Sequence, residues 1–422
     1  MIEKAFPTLG ERYYEQVLEN GLTVRVLEKP GFAKKYAMIM TDFGSIDTAF
    51  TVDGVRYETP AGVAHYLEHK MFDLPDGNAM QQFAQYGGSN NAFTSYSVTA
   101  YYVECTEHFS ENLGVLLRMI STPCYSEQSV EKERGIIAQE IKMYDDSAES
   151  VVGENLMRAM FHSDPVRVPI AGSVESIAEI TAQTLTLCHK TFYDPSNMIL
   201  CVMGDVDAQA VIRQAEEQTI ESCGVHPVRQ YGPEEQMSCP QARIEKKMEV
   251  SMPTFSIGFK CESVASGPET MRLEYIGAFA AELVAGEASA LYARLYESGL
   301  IDSDFSGGFE RVKNAALLEF SGDSSQPDTV LEEILREAER IGTQGVDREH
   351  FRRLKKAFIG RRLRDLDSFE STCYRLCVCF MDGAEYMEYP KIVDAITAED
   401  VEEFIRRVIR KERASISIIS PL

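Results

Sequence analysis

The sequence predicts an α+β protein of two tandem homologous repeats, each a mainly antiparallel sheet packed with helices. Three observations lead to this prediction. A chain of 422 residues is longer than one compact core usually accommodates. Strand-like and helix-like periodicities alternate along its whole length. The order of these elements in the first half also recurs in the second half with similar spacing, which is typical of an internal duplication.

The elements of the first half are predicted from period-2 and period-3.6 patterns of apolar residues. The predicted strands are 22–27, 36–42, 94–105 and 197–204. The predicted helices are 107–120, 129–144 and 181–193. A strand followed by two helices is therefore the characteristic succession of this half.

The second half begins after a polar, proline-containing segment, residues 224–244, which predicts a linker. The predicted strands beyond it are 249–259 and 315–322, and the predicted helices are 271–295, 327–341 and 347–367. A strand followed by two helices occurs here as well. The predicted division is therefore a first repeat at 1–223, a linker at 224–244 and a second repeat at 245–422.

Composition excludes several classes of function. Acidic residues outnumber basic residues 66 to 42, and the net charge of −24 argues against a nucleic-acid-binding protein. No apolar stretch reaches the roughly 18 residues of a membrane span, and the N-terminal segment does not resemble a signal peptide. Ten cysteines are too sparse for a disulfide scaffold, so we expect reduced thiols and a cytoplasmic protein.

The chemically most informative motif is HYLEH, in which His65, Glu68 and His69 form an H-x-x-E-H pattern. Histidines four residues apart share one face of a helix and can bind one metal ion. Glu68 lies beside them, where a carboxylate can take a proton from water at the metal. This is the inverted order of the zincin motif. The alternative is a helix whose histidines are ordinary core or surface residues.

A catalytic zinc ion usually has three protein ligands, so a third is expected elsewhere in the chain. Glu133 and Glu140 are seven residues apart in a predicted helix and therefore lie on one face. Glu140 is surrounded by isoleucines and an alanine, where an unpaired carboxylate would be costly. We predict Glu140 as the third ligand and Glu133 as a residue that supports the site without binding the metal. A position of Glu133 on a solvated face is an equal alternative.

The motifs HYLEH, GGSNNAFTSYSVTAYY and VEKERGIIAQEI together resemble the pitrilysin and insulinase family of zinc peptidases. The resemblance implies one zinc ion per chain, bound by His65, His69 and Glu140, with Glu68 as the general base. Glu140 follows His69 by 71 residues, within the spacing used by the family. It also implies that the first repeat is catalytic and that the second is a similar but inactive one.

The family resemblance further implies that Asn91 and Ala92 belong to an edge strand to which an extended peptide substrate adds. Gly87 and Gly88 precede this strand, and glycines suit a place where another backbone approaches closely. A simple hairpin turn followed by a strand would explain the same residues.

The second half departs from the family pattern in the segment SALYARLYESGLIDSDF. Tyr296 stands where many family members have a substrate-binding arginine, and Asp302 stands where they have a tyrosine. Either this branch binds its substrate differently, or a partner chain supplies the missing contacts. The resemblance to a bacterial branch with paired chains implies a homodimer, or a heterodimer with a sibling chain lacking the zinc motif, enclosing peptides in a chamber.

The function predicted from these residues is a zinc-dependent endopeptidase acting on unfolded peptides or short proteins. The absence of a convincing nucleophile with a base partner fits a mechanism without a covalent intermediate. Two alternatives remain: a non-catalytic structural or peptide-binding subunit of a larger assembly, and a metal-dependent hydrolase of non-peptide substrates.

Overall fold

The computed structural model describes residues 1–264 and 266–422. Its strands are β1 Ile2–Phe6, β2 Glu11–Val17, β3 Thr23–Glu28, β4 Lys35–Thr41, β5 Ala49–Val52, β6 Val55–Glu58, β7 Asp73–Leu74, β8 Gly77–Asn78, β9 Ser89–Thr94, β10 Thr99–Cys105, β11 Met198–Gly204, β12 Val228–Arg229, β13 Arg243–Met248, β14 Thr254–Glu262, β15 Ser306–Val312, β16 Ala315–Asp323 and β17 Ala414–Pro421. Its helices are α1 Val63–Lys70, α2 Ala79–Gln85, α3 Phe109–Ser121, α4 Glu127–Asp146, α5 Ala148–Met160, α6 Val174–Ala178, α7 Ala182–Phe192, α8 Ala208–Gln218, α9 Pro268–Ala285, α10 Ala290–Glu297, α11 Pro327–Gln344, α12 Arg348–Asp365, α13 Phe369–Met381, α14 Tyr389–Ala395 and α15 Ala398–Val408.

The chain forms two compact units, each built around one large sheet. The sheet of the first unit has the strand order β1-β2-β3-β11-β4-β10-β9, and that of the second unit has the order β13-β17-β14-β16-β15. The first sheet has one parallel pair, β3 with β11, and the second sheet has one parallel pair, β13 with β17. In the strand orders given above, every pair after this one is antiparallel. The second sheet thus repeats the last five strands of the first, which confirms the predicted duplicated α+β fold.

The two units interleave along the chain. The first contains residues 1–141, 169–230 and 363–387, and the second contains residues 142–168, 231–362 and 388–422. Helix α5 accordingly packs on β14 and β17 in the second unit, while α13 packs on β4 and β11 in the first. Neither unit is one continuous segment. The predicted borders at 223 and 245 refer to repeats along the sequence, and they stay a prediction.

The core of the first unit lies at the centre of its sheet, because β11 is buried at all seven residues. Its sequence, MILCVMG, has no polar residue that could face solvent. A strand buried on both faces reads as a continuous apolar run rather than an alternation. The predicted strand 197–204 therefore agrees with β11 to within one residue.

Two predicted elements are wrong because a short turn interrupts each of them. Residues 94–105 form the end of β9 and all of β10, separated by a turn in which the Ser95 N–H donates to the Val98 carbonyl at 2.8 Å. Residues 271–295 form α9 and α10, because Gly286 adopts an extended conformation and Ser289 caps the next helix. Serine and glycine are the residues that favour such breaks.

Among the described residues, no single helix is long and apolar enough to span a membrane. The pair α9 and α10, which is bent by 45°, reaches that length and composition only when taken together.

Part of the predicted linker is anchored within the second unit by Glu235. Its carboxylate accepts hydrogen bonds from the backbone N–H groups of His162, Ser163 and Asp164 at 3.0, 2.6 and 2.7 Å. It also pairs at 2.9 Å with Lys260, whose side chain is fully buried. Burial opposes the charge on Glu235, but these hydrogen bonds outweigh it and lower the pKa of Glu235 to about 2.

Replacing Glu235 with glutamine is expected to destabilise the protein by about 3–5 kcal/mol at pH 7, because the buried Lys260 ammonium loses its counter-charge. A carboxylate with a lowered pKa stabilises the folded state above its unfolded-state pKa of about 4.5, and this contribution is lost as the pH falls toward 2. Urea unfolding at pH 7 and pH 3 should therefore show a smaller difference between the two proteins at pH 3. The exposed neighbour Glu234, replaced by glutamine, is the matched control; equal stability of wild type and Glu235→Gln at pH 7 would contradict the assignment.

Candidate metal centre

The H-x-x-E-H motif lies on α1, a short helix in the interior of the first unit. The helix begins after Gly62, whose φ of +88° and close approach to the Ala171 carbonyl leave no room for a side chain. Pro60 precedes the helix, which begins at Val63. His65 and Glu68 are each 8% exposed. Such burial is unusual for charged or titratable side chains and is expected only when they have partners.

Helix α4 brings the glutamate residues to this motif. The Tyr66 hydroxyl donates to the Val130 carbonyl and thereby joins α1 to α4. Glu140 Oε1 lies 3.6 Å from His65 Nε2, and Glu140 Oε2 lies 3.4 Å from His69 Nε2. The structure thus brings together the three residues predicted as metal ligands.

The three side chains have the chemistry and spacing of a zinc site. One nitrogen or oxygen atom from each of His65, His69 and Glu140 lies within 4.8 Å of the other two. Zinc–nitrogen distances of about 2.0–2.1 Å in tetrahedral geometry place neighbouring ligand atoms about 3.3–3.4 Å apart. The separations of 3.4 and 3.6 Å are close to this value and longer than normal charged hydrogen bonds. Two imidazoles and one carboxylate therefore fit a zinc ion with an open fourth position.

Glu133 contacts the side of His69 that faces away from Glu140. The Nδ1 atom of His69 lies 3.1 Å from Glu133 Oε1. Burial disfavours the charged imidazole, but this hydrogen bond and the neighbouring carboxylates outweigh it and raise the pKa of His69. The same hydrogen bond lowers the pKa of Glu133. A carboxylate bound to Nδ1 orients the ring and leaves Nε2 for a metal ion, a common arrangement behind histidine ligands.

Glu68 is held by a residue of the neighbouring strand. The Thr94 hydroxyl, at the end of β9, donates to Glu68 Oε2 at 2.7 Å. Burial raises the pKa of Glu68, although the Thr94 hydrogen bond and the two histidines act in the opposite direction. A buried carboxylate with a raised pKa accepts a proton more readily than an exposed one, as a general base must. Sequence analysis missed Thr94, since nothing in the order NNAFT shows which side chain reaches α1.

The predicted peptide-binding residues lie on a free sheet edge. Within the described part of the chain, strand β9 is the last strand of its sheet and pairs with β10 only. The Ala92 N–H donates at 2.9 Å to the side-chain oxygen of Asn91, which is exposed. An N–H that bonds to a neighbouring side chain at a sheet edge is accessible to an added strand.

Tyr296 and Asp302, where the family pattern is not kept, lie in the second unit. Tyr296 is 52% exposed and stacks on Tyr292 with the ring centres 5.9 Å apart. Asp302 accepts a hydrogen bond from the Asp304 N–H at 2.9 Å. That a partner chain supplies the contacts missing at these positions stays a prediction.

Comparisons with known proteins agree with the geometry. Residues 49–174 match the model of insulinase (peptidase family M16), and residues 179–358 match that of the peptidase M16 inactive domain. The chain is 35% identical over 426 residues to the uncharacterized zinc protease YmfH of Bacillus subtilis, covering 99% of this chain and 98% of the relative.

Solved structures show the same fold. An M16-like peptidase from Alicyclobacillus acidocaldarius superposes with a TM-score of 0.94 at 32% identity and covers 97% of this chain and 98% of that one. Pitrilysin superposes with a TM-score of 0.78 at 17% identity, covering 97% of this chain and 45% of pitrilysin. A chain of complex III2 from Candida albicans has a TM-score of 0.77 at 13% identity, covering 96% of this chain and 95% of that chain. These last two likenesses concern the fold alone.

Proposed function

Because the chain belongs to the insulinase family of peptidases (family M16), we propose that it is a zinc-dependent endopeptidase acting on unfolded peptides or short proteins. One observation carries this proposal: His65, His69 and Glu140 converge beside a buried carboxylate, Glu68, that is hydrogen-bonded to a free sheet edge. Metal ligands, a proton acceptor and a peptide-binding edge are the parts that hydrolysis of a peptide bond requires.

The residues of the site have distinct roles in this proposal. His65, His69 and Glu140 would hold one zinc ion per chain, and Glu133 would orient His69. Zinc in such a site supplies a Lewis acid that polarises the peptide carbonyl and acidifies water. Glu68 accepts a proton from the attacking water and delivers it to the departing amine nitrogen. The hydrogen bond from Thr94 engages Oε2 and leaves Oε1 of Glu68 for this transfer.

The substrate would bind as an additional strand along β9. Its main-chain groups would replace the Asn91 side chain as the partner of the Ala92 N–H. Main-chain pairing does not depend on side-chain identity, so this mode favours extended peptides of varied sequence over folded proteins.

Replacing Ala92 with proline is expected to lower kcat/KM for peptide cleavage by about 3- to 10-fold, the effect of losing one main-chain hydrogen bond. Zinc content should not change, because the three metal ligands belong to α1 and α4 and not to β9. Ala92→Val keeps the N–H and is the matched control, with activity expected close to that of wild type. Unchanged kcat/KM in Ala92→Pro would exclude strand addition at this position.

We further propose that the active species is a dimer enclosing the peptide in a closed chamber. The dimer would contain two identical chains or this chain with a sibling lacking the zinc motif. The substitutions at Tyr296 and Asp302 support this proposal, since the family's substrate contacts would have to come from elsewhere. Light scattering on the active fraction tests it: a fully active monomer of 47.3 kDa would contradict the proposal.

A further inference from the structure

The second unit contains a cleft at the position that corresponds to the metal centre of the first. In the first unit the centre is formed by α1, which lies in the chain between β4 and β9, by the edge strand β9, and by α4, the second helix after β10. In the second unit α9 lies between β14 and β15, β15 is the edge strand, and α12 is the second helix after β16. These three elements line a cleft of about 470 Å³. Clefts of this volume bind small ligands or single side chains.

The residues of this cleft cannot bind a metal ion as their counterparts do. Ala281 and Ala285 line it from the last turns of α9, at the same four-residue spacing as the two histidines of α1. On α12, Arg361 lies thirteen residues after the first residue of the helix, as Glu140 does in α4. The imidazole and carboxylate ligands of the first unit are thus replaced by methyl groups and a guanidinium.

The wall formed by α12 is strongly cationic. The helix carries eight lysine or arginine residues against two acidic ones, in a chain whose net charge is −24. His350, Arg353 and Arg361 face the cleft, together with Leu354 and Ala357. Residues at these spacings share one helical face. An anionic group entering the cleft would therefore meet two guanidinium groups, those of Arg353 and Arg361, on one wall.

The arginines of this wall remain able to bind a ligand. Among the described residues, Arg361 has its one ionic contact with Glu282 at 3.8 Å, which is too long for a hydrogen bond. Arg353 pairs at 3.3 Å with Glu349 of its own helix, and its side chain is 61% exposed. Exposed ion pairs of this kind contribute little and are readily exchanged. Glu282 and Glu287 line the cleft on the side of α9, which would direct the cationic or N–H groups of a ligand to that side.

We propose that this cleft binds a carboxylate of the peptide substrate, either the C-terminal carboxylate or an acidic side chain. The inference rests on the proposed peptidase function for the identity of its ligand. Arginine is the residue best suited to planar carboxylates, since its N–H groups can form two parallel hydrogen bonds. The edge strand β15 borders the cleft through Ser306 and Gly307, and a side chain at Gly307 would collide with the ring of Phe320. Among the described residues β15 pairs with β16 only, so its outer main-chain groups lie at a sheet edge beside the cleft, where an extended peptide can add.

Binding is measured by fluorescence anisotropy at low salt with zinc-loaded protein carrying Glu68→Gln, so that peptides are not cleaved. One pair of labelled peptides differs by a free or amidated C-terminus, and the other by an internal glutamate or glutamine. We expect at least one acidic peptide to bind about tenfold more tightly than its neutral twin, and the pair that differs identifies the carboxylate. Arg361→Gln should remove this preference and Arg361→Glu should reverse it. Arg352→Gln, an exposed arginine of the same helix outside the cleft, should retain it.

Equal affinities for both members of both pairs, or a preference that survives Arg361→Gln, would overturn the proposal. So would a failure to bind any of the four peptides. Cleavage of the neutral peptides by the zinc-loaded wild-type protein is measured in parallel. If the neutral peptides are cleaved but binding shows no charge preference, the carboxylate site alone is rejected. If the neutral peptides are not cleaved, the peptidase function is rejected.

Discussion

Replacement of Glu68 by glutamine is expected to reduce peptide cleavage by about 10²- to 10⁴-fold while zinc stays bound. General acid–base groups supply roughly 10²- to 10⁴-fold of the rate, and Glu68 is the carboxylate placed to move the proton. Glutamine keeps the shape and the hydrogen bond from Thr94, but it cannot accept a proton. Because the metal-binding atoms belong to other residues, the zinc content should equal that of wild type.

The measurement compares kcat for a quenched-fluorescent peptide and zinc content in the two proteins. Glu131→Gln is a matched control, because this glutamate lies on α4 with its side chain 71% exposed and pairs with Arg134 of the same helix. It should be fully active. Residual activity of Glu68→Gln above about a hundredth of wild type would show that another group moves the proton.

Replacing either His65 or His69 by alanine is expected to abolish both stoichiometric zinc binding and activity. Each substitution removes one of three ligands from a site whose fourth position is open. A zinc ion that binds only the folded state raises the melting temperature. Added zinc should therefore stabilise the wild type and leave the alanine variants unchanged.

In the same experiment, Glu133→Gln shows how the loss of a residue that supports a metal ligand differs from the loss of a ligand itself. It weakens the carboxylate contact to His69 Nδ1 but keeps all three proposed ligands. Loss of such a supporting contact typically lowers metal affinity by about 10- to 100-fold, so zinc should still bind at high concentration. Retention of stoichiometric zinc by His65→Ala or His69→Ala would refute the ligand assignment.

The sequence was most informative where spacing alone determines geometry. His65 and His69 are four residues apart on a helix, and Glu133 and Glu140 are seven apart, so each pair must share a face. The apolar surroundings of Glu140 indicated that it points inward, and the structure places it against both histidines. The repeated order of elements likewise predicted the duplicated fold that the two sheets confirm.

Features that depend on contacts distant in sequence could not be predicted. The hydrogen bond from Thr94 to Glu68 requires the end of β9 to meet α1, and no local pattern encodes that meeting. The interleaving of the units depends on where α5 and α13 pack, although both have ordinary helical sequences. The predicted strand 94–105 failed for a local reason, because its alternation continues through the turn at Ser95–Val98 and hides it.

The most direct test of the central claim is the zinc content of the purified wild-type chain and of Glu140→Gln, with peptide cleavage measured on both. We predict one zinc per chain and cleavage for the wild type, and a sharp reduction of both in the variant. Wild-type protein that binds no zinc even after metal is added would contradict the account and favour a non-catalytic structural or peptide-binding subunit.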